Sequence, residues 1–386
     1  MISYEVKEND KVVRRGKVSL DVAPQEKKEL AVNVSGLKAK VGTEYFVNFS
    51  VTTLESEPLV PKGYEIAHEQ FRLPIDPASR SFSVQGPALQ CSENGNLLSV
   101  QSSRVAFVFD KSTGLVTSYK VKGTEYFHEG FGIQPNFWRA PNDNDYGSQM
   151  PKRLQIWKQS SKNFNVVDAS LTMDGKDAVL KVSYLLAAGN LYIATYRIHP
   201  SGVVKANYTF TSTEMEAAKT EASEATLMAT FTPGNEAIRK ESSKLVVPRI
   251  GVRFRLPAEM EQVTYFGRGP EENYCDRNNG TLVGEYQATA EQMYFPYVRP
   301  QENGHHTDTR WLMLKKKNGK GLVVYADSTL EFNSLRNSIE DFDGEEATHR
   351  DYQWGNRDAE ELKHDVSTAK NIKPRQTHIN DITPRD

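Results

Sequence analysis

Three short segments of this 386-residue chain gather side chains that could do chemistry. In Phe137-Trp-Arg-Ala-Pro-Asn-Asp-Asn-Asp-Tyr-Gly147 an apolar strand end, Phe131 to Trp138, runs into one arginine, two aspartates and two asparagines. Asn142, Asp143, Asn144 and Asp145 can close Asx turns and tether Arg139, or they can offer a hydrogen-bonding edge to a sugar or to water. A calcium loop starting at Asp143 is excluded, because its twelfth position is Leu154 rather than a bidentate glutamate. The second segment runs from Phe266 to Arg277 through Gly267-Arg-Gly269. It is not a dinucleotide fingerprint: Glu272 stands at the third glycine position, Pro270 interrupts, and no βαβ unit surrounds it. Asn273, Asp276 and Arg277 remain there as hydrogen-bonding groups. The third segment, Tyr294 to Gly304, sets Tyr294, Phe295 and Tyr297 beside Arg299, Glu302 and Asn303, with His305-His306 following. Aromatic faces next to amides and carboxylates suit a pyranose, which is apolar on its C–H face and hydroxylated on its rim. Core aromatics under a charged turn fit the same residues. Adjacent histidines in a strand point to opposite faces, so at most one of His305 and His306 faces a site.

Such loops need a rigid support, and the surrounding pattern predicts strands. Residues 2 to 73 alternate at period two in Ser3 to Lys7, Val12 to Leu20, Glu29 to Val34, Glu44 to Thr53 and Ile66 to Leu73. Turn signals such as Glu8-Asn-Asp10, Ser35-Gly36 and Pro61-Lys-Gly63 separate them. This rhythm predicts a small immunoglobulin-like sandwich over 1–74, its first strand incomplete, and a linker over 75–87. Beyond it, 88–386 reads as one large all-β domain, with strands at Ser99 to Asp110, Ala178 to Leu186, Leu191 to His199 and Val203 to Thr211. Helix is expected only at Asp358 to His364 and in a few residues near Met215 or Glu259. The acidic tract Ile339 to Glu346, with His349-Arg350 and Trp354 after it, reads as a solvated loop. Both ends of the chain read as cut from a longer polypeptide.

Composition narrows the classes. The formal charge of -2 comes from 48 basic and 50 acidic residues mixed along the sequence, so no basic footprint invites nucleic acid or an anionic membrane. No apolar run approaches ~18 residues, the N-terminus carries no signal or transit pattern, and the chain reads as soluble, cytoplasmic or periplasmic. Cys91 and Cys275 lack metal or framework spacing and read as separate buried thiols. Neither a Gly-x-Ser-x-Gly elbow, a His-Glu-x-x-His helix nor a phosphate loop occurs.

Trp138-Arg-Ala-Pro-Asn-Asp-Asn-Asp145, Gly267-Arg-Gly-Pro-Glu-Glu-Asn-Tyr-Cys-Asp-Arg277 and Tyr297-Val-Arg-Pro-Gln-Glu-Asn-Gly304 together resemble the C-terminal region of family 2 glycoside hydrolases of the β-galactosidase type. Val18-Ser-Leu-Asp-Val-Ala-Pro24 and Ala67-His-Glu-Gln-Phe71 resemble the immunoglobulin-like domain that precedes it. The resemblance covers nearly the whole chain. It implies an all-β fold, an immunoglobulin-like β-sandwich followed by a galactose-mutarotase-like β-supersandwich. It also implies a retaining β-galactosidase parent, whose catalytic glutamates and magnesium and sodium ligands lie in an upstream barrel absent from this chain. The fragment alone would be inactive, with no catalytic residue and no metal ligand of its own. Its partners would be a β-galactoside and the missing barrel, and a homo-oligomer is compatible with the family. Gly147 to Arg153 resembles a mobile active-site loop, although Gln149 stands where an acidic residue is expected. The substrate-binding residues so implied are Arg139, Asp143, Asn144, Asp145, Gly147, Glu302, Asn303 and His305. A peripheral cation site at carbonyls near Arg299-Pro300 is a further implication. Two readings compete: an aldose epimerase using His305 or His306 with Glu302 as acid and base, and a carbohydrate-binding or small-subunit module.

Overall fold

A computed structural model describes residues 1–187, 189–211, 246–297, 301–343 and 376–385. The N-terminal part is a four-stranded antiparallel sheet in the order β2-β1-β3-β4. Its strands are β1 (Ile2–Glu8), β2 (Lys11–Val18), β3 (Tyr45–Thr52) and β4 (Glu65–Arg72). The strand expected at Glu29 to Val34 is not formed. That stretch runs as irregular chain, and the Arg14 guanidinium, by donating to the carbonyls of Asn33 and Ser35, occupies acceptors that a ladder would have used.

Residues 73–89 carry no strand, and the chain then builds three more sheets. The first is a meander of β5 (Gln90–Asn94), β6 (Leu97–Gln101), β7 (Val105–Asp110), β8 (Leu115–Val121) and β9 (Thr124–Glu125). The run Ser99 to Asp110 is thus two strands and not one. Ser102 breaks it, its Oγ accepting from the amides of Arg104 and Val105 at 3.1 and 3.0 Å, a hydroxyl-closed turn hidden inside an alternating pattern. After β10 (Gln134–Asn136) come three short helices, α1 (Asp143–Gly147), α2 (Met150–Arg153) and α3 (Gln155–Ser160), which the periodicity did not predict. A second sheet follows in sequential order, β11 (Phe164–Asp174), β12 (Asp177–Leu186), β13 (Leu191–Ile198) and β14 (Val204–Thr211).

The last sheet has seven strands in the order β10-β15-β20-β19-β18-β16-β17. It adds β15 (Gly251–Pro257), β16 (Gln262–Gly269), β17 (Leu282–Thr289), β18 (His306–Lys315), β19 (Gly321–Leu335) and β20 (Gln376–Arg385). One apolar core joins the three sheets: Phe107 and Phe109 of β7, Leu180 and Tyr196 of β12 and β13, and Leu312 and Phe332 of β18 and β19 are all buried in it. The fold is therefore all-β, as expected. Ile339–Phe342 forms a fourth helix, α4, capped by Ser338, with Ile339 and Phe342 buried. The start of the acidic tract is thus packed and not merely solvated. Glu259 lies in a turn, while Met215, His349, Arg350, Trp354 and Asp358 to His364 fall outside the described residues. Cys91 and Cys275 are free thiols, but Cys275 is exposed, because it sits at the tip of a loop between two paired strands. Among the described residues no helix is long and apolar enough to cross a membrane.

The N-terminal sheet packs against β16 and β17. Gln70 donates to the Val283 carbonyl at 2.9 Å and accepts from its amide at 2.8 Å, supplying the edge strand β17 with a partner through a side chain. Phe46 meets Phe266 edge to face with centroids 6.3 Å apart. Arg310 grips Glu44 with two bonds of 2.5 and 3.2 Å.

Candidate functional site

All three polar segments leave the seven-stranded sheet at the same end. The register runs Asn136↔Gly251, Val252↔Ile382, Ile382↔Phe332 and Phe332↔His306, so these residues lie at nearly one level across β10, β15, β20, β19 and β18. The first segment leaves β10 just beyond this level, and the third enters β18 at it. The second begins where β16 ends beside the start of β18, Tyr265 of β16 lying 4.8 Å from the His306 ring. Antiparallel pairing alone produces this convergence.

At the β10 side, the Asn-Asp cluster is a helix cap. The Asn142 side chain accepts from the Asp145 amide at 2.9 Å, and the Asp145 carboxylate accepts from the Asn142 amide at 2.9 Å. The same carboxylate pairs with Arg139 at 2.6 Å. Asn-x-x-Asp was the legible signature of α1, concealed by the Asx-turn reading. Asp143, Asn144 and Gly147 stand exposed on this helix, whereas Arg139 and Asp145 face inward to each other. The following residues Met150–Arg153, expected as loop, coil into α2 because Met150 reaches the core and Pro151 sits at the helix start, where its missing N–H costs nothing.

At the β18 side, Glu302, Asn303 and His305 come together with residues from four other elements. Arg249, just before β15, lies 3.1 Å from Glu302 and 3.2 Å from Asp381 of β20. His305 Nε2 faces Glu331 of β19 at 3.2 Å, its Nδ1 lies 3.8 Å from Asp381, and the Tyr274 ring stacks on it at 5.1 Å. Asn333 donates to Glu302 and to the Asn303 carbonyl, both at 3.4 Å, and Thr383 donates to Asp381 at 2.7 Å. Every one of these charged groups is buried. Burial acts against the Arg249 charge, yet Asp381 and Glu302 outweigh it and its pKa is raised. Burial also raises the Asp381 carboxyl, more than Arg249 and His305 lower it.

The second and third segments are bolted to each other. Asn273 is wholly buried: its amide N–H donates to the His305 carbonyl at 2.7 Å, its Oδ1 accepts from the Thr307 amide and hydroxyl, and its Nδ2 donates to the Arg268 and Glu271 carbonyls. Glu272 accepts from the Gly304 amide at 2.8 Å, from Arg277 at 2.9 Å and from the Tyr297 hydroxyl. Burial raises the Glu272 carboxyl although these donors oppose it. Phe295 stays half exposed beside Tyr297, with centroids 4.6 Å apart.

The two histidines do face opposite ways. His305 looks into the charged cluster, while His306 lies between Tyr265 and Phe332, at 4.8 and 5.4 Å, with a pKa lowered by burial and by His305 to about 3. His305 thus has Glu331 as its carboxylate partner, and Glu302 belongs to Arg249. Arg249, Glu331, Asn333 and Asp381 carried no sequence signal, because each sits alone in a strand or at its edge and acquires its role only through pairing across the sheet. Among the described residues no three His, Cys, Asp or Glu side chains are arranged to hold a metal ion. Arg299 and Pro300 lie outside the described residues.

Comparison with known proteins agrees with this architecture. Residues 101–377 match the model of the β-galactosidase small chain, and residues 1–74 match that of β-galactosidase domain 4. The β-galactosidase of Priestia megaterium is 30% identical over 335 residues, covering 86% of this chain and 29% of that protein. That of Streptococcus thermophilus is 26% identical over 93% of this chain and 32% of its own length. The Kluyveromyces lactis β-galactosidase is 28% identical over 72% of this chain and 25% of its own. The chain thus spans less than a third of the length of these relatives. With its longer portion matching the small chain and its first 74 residues matching domain 4, this chain belongs to the β-galactosidase small-chain family.

Proposed function

We propose that this chain is the C-terminal, non-catalytic part of a retaining β-galactosidase of glycoside hydrolase family 2, divided as 1–74, 75–87 and 88–386, and that its loops complete the sugar pocket of a catalytic barrel. The observation that carries this reading is the convergence of Arg139 to Gly147, Gly267 to Arg277 and Phe295 to His305 at one end of a single sheet. A retaining glycosidase needs a free acid and nucleophile about 5 to 5.5 Å apart. The carboxylates gathered here are committed elsewhere: Glu302 and Asp381 to Arg249, Glu331 to His305, Asp145 to Arg139. On this reading bond cleavage falls to the catalytic portion, and the magnesium and sodium sites go with it. Exposed Asn144 and the half-exposed Phe295 face outward where sugar hydroxyls and a pyranose face can reach them.

The test is hydrolysis of o-nitrophenyl β-galactoside by the chain alone, by the catalytic polypeptide alone and by their mixture. Turnover only in the mixture supports the division of labour. Turnover by the chain alone, or undiminished turnover by the catalytic polypeptide without it, sinks it.

A further inference from the structure

Away from the charged cluster, the junction between the N-terminal sheet and β16–β17 opens into a groove of about 970 Å3. This lies at the upper end of the roughly 300 to 1,000 Å3 of small-molecule sites, too large for one hexose to fill. Its two walls differ in chemistry. One is the polar face of the small sheet, presenting Ser3, Glu5, Lys17, Ser50 and His68. The other is made of Pro270, Leu282 and Tyr286, with exposed Gly280 leaving its backbone bare. Two of the groove's carboxylates already have partners: Glu5 pairs with Arg15 at 2.9 Å, and Glu65 accepts from the Ser50 hydroxyl and lies 2.9 Å from His68 Nδ1, while Lys17 and Glu271 are exposed on the lining.

A ligand that fits must be neutral, longer than a monosaccharide, apolar on one side and hydrogen-bonding on the other. An anion would meet three carboxylates, Glu5, Glu65 and Glu271, and a cation would meet Arg15 and Lys17 while competing with Arg15 for Glu5 and with the Ser50 hydroxyl for Glu65. A protein segment buried here would meet too many solvated charges for the apolar centre that stable interfaces have. A chain of pyranoses has the required two-sidedness. We propose that this groove is a binding site for a neutral oligosaccharide, separate from the sugar pocket at the end of the seven-stranded sheet. The two share one wall. Glu271 lines the groove, while the carboxylate of the next residue, Glu272, holds the Gly304 amide and Tyr297 on the opposite side of the same loop. An occupied groove thus rests directly on the loop that positions Glu302 and His305.

Only the choice of a galactose-based probe draws on the β-galactosidase reading; the groove itself does not. Isothermal titration of the full chain with linear β-linked galactotetraose is expected to show binding at least ~10-fold tighter than with galactose. Ser50→Trp, which fills the groove from a surface strand position, should abolish it, and the charge-neutral pair Lys17→Ala with Glu271→Ala should weaken it by about tenfold. Arg139→Ala, at the other site, should leave it unchanged, with circular dichroism reporting that each variant is folded. No heat at ~10 mM tetrasaccharide, equal affinity for galactose, or full binding by the Ser50→Trp variant would overturn the proposal. So would protection of Lys17 from acetylation by the catalytic polypeptide in a chain that binds no sugar. Each of these outcomes leaves the hydrolysis assay untouched, so the two readings fail separately.

Discussion

His306 makes the fold sensitive to acid in a way that can be calculated. Its ring is buried between Tyr265 and Phe332, Nδ1–H donates to the Arg268 carbonyl at 3.2 Å, and its pKa is held at about 3 against an ordinary 6.5. A folded-state value below the unfolded one means the unfolded chain binds the extra proton, so the stabilisation is complete above about pH 6.5 and is lost as pH falls toward 3. At pH 5 the unfolded imidazole lies about 1.5 pH units below its midpoint, while the folded one is still neutral. At 1.36 kcal/mol per unit this costs about 2 kcal/mol relative to pH 8. Asp381 and Glu272, with raised pKa values, work in the opposite direction, because the folded state then holds the proton more tightly and acid favours it. The comparison must therefore be made against His306→Phe, which keeps the aromatic packing and removes the titration. Urea unfolding at pH 8 and pH 5 should show the parent chain losing about 2 kcal/mol more than the variant. At pH 8 the variant should be weaker by about 1 kcal/mol, for the lost hydrogen bond. Equal losses in the two proteins, or an NMR titration that protonates His306 above pH 5, would refute the reasoning.

Other perturbations follow from the same bonds. Asn273→Ala strips the Thr307 amide and the Arg268 and Glu271 carbonyls of a buried partner, and at 1 to 3 kcal/mol per stranded group should cost about 3 kcal/mol or more in urea unfolding. Arg249→Met leaves Glu302 and Asp381 buried without their cation, which should cost about 3 to 5 kcal/mol at pH 7, a deficit that shrinks on acidification as the Asp381 carboxyl, raised by burial, takes up its proton. Gln70→Ala combined with Glu44→Ala removes the polar clamps between the N-terminal sheet and β17–β18, and calorimetry should then resolve two unfolding transitions where the parent gives one.

Strands were legible wherever side chains alternate toward one core. Asp177–Leu186 buries every second residue, and its hairpin partners were marked by glycines such as Gly175 and Gly189 with positive φ. Two kinds of feature escaped. The break at Ser102 and the helix at Asp143 are closed by side-chain-to-backbone bonds that local polar residues make in several ways, so composition does not choose among them. The charged cluster escaped for a different reason. Arg249, Glu302, Glu331 and Asp381 are far apart in the chain, and only the order β15-β20-β19-β18 brings them within bonding distance. Glu302, Asn303 and His305 were visible because a motif carries them; their partners had none.

The bonds that hold the three segments differ in range, and this separates a preformed part of the site from a part free to move. The Asn273 amide donates to His305, the Thr307 amide to Asn273 and the Gly304 amide to Glu272, so each of these donors is satisfied by a distant stretch of chain. Exposing them requires parting two segments and uncovering buried Asn273. In the first segment the amides of Asp145, Tyr146 and Ser148 are satisfied within four residues, and the Asp145 carboxylate pairs with Arg139 only six residues away. A one-and-a-half-turn helix of this length has little stability of its own. Local opening of Asp143–Gly147 should therefore be far cheaper than opening of 273–277 or 304–307. Amide exchange read by mass spectrometry should show at least ~100-fold less protection in the first segment, a difference of about 2.7 kcal/mol. Loss of the Arg139 side chain should speed exchange there and leave the Asn273 amide unchanged. Equal protection in both regions would mean that the first segment is held by contacts as extensive as those of the other two, and that the sugar meets a wall already complete.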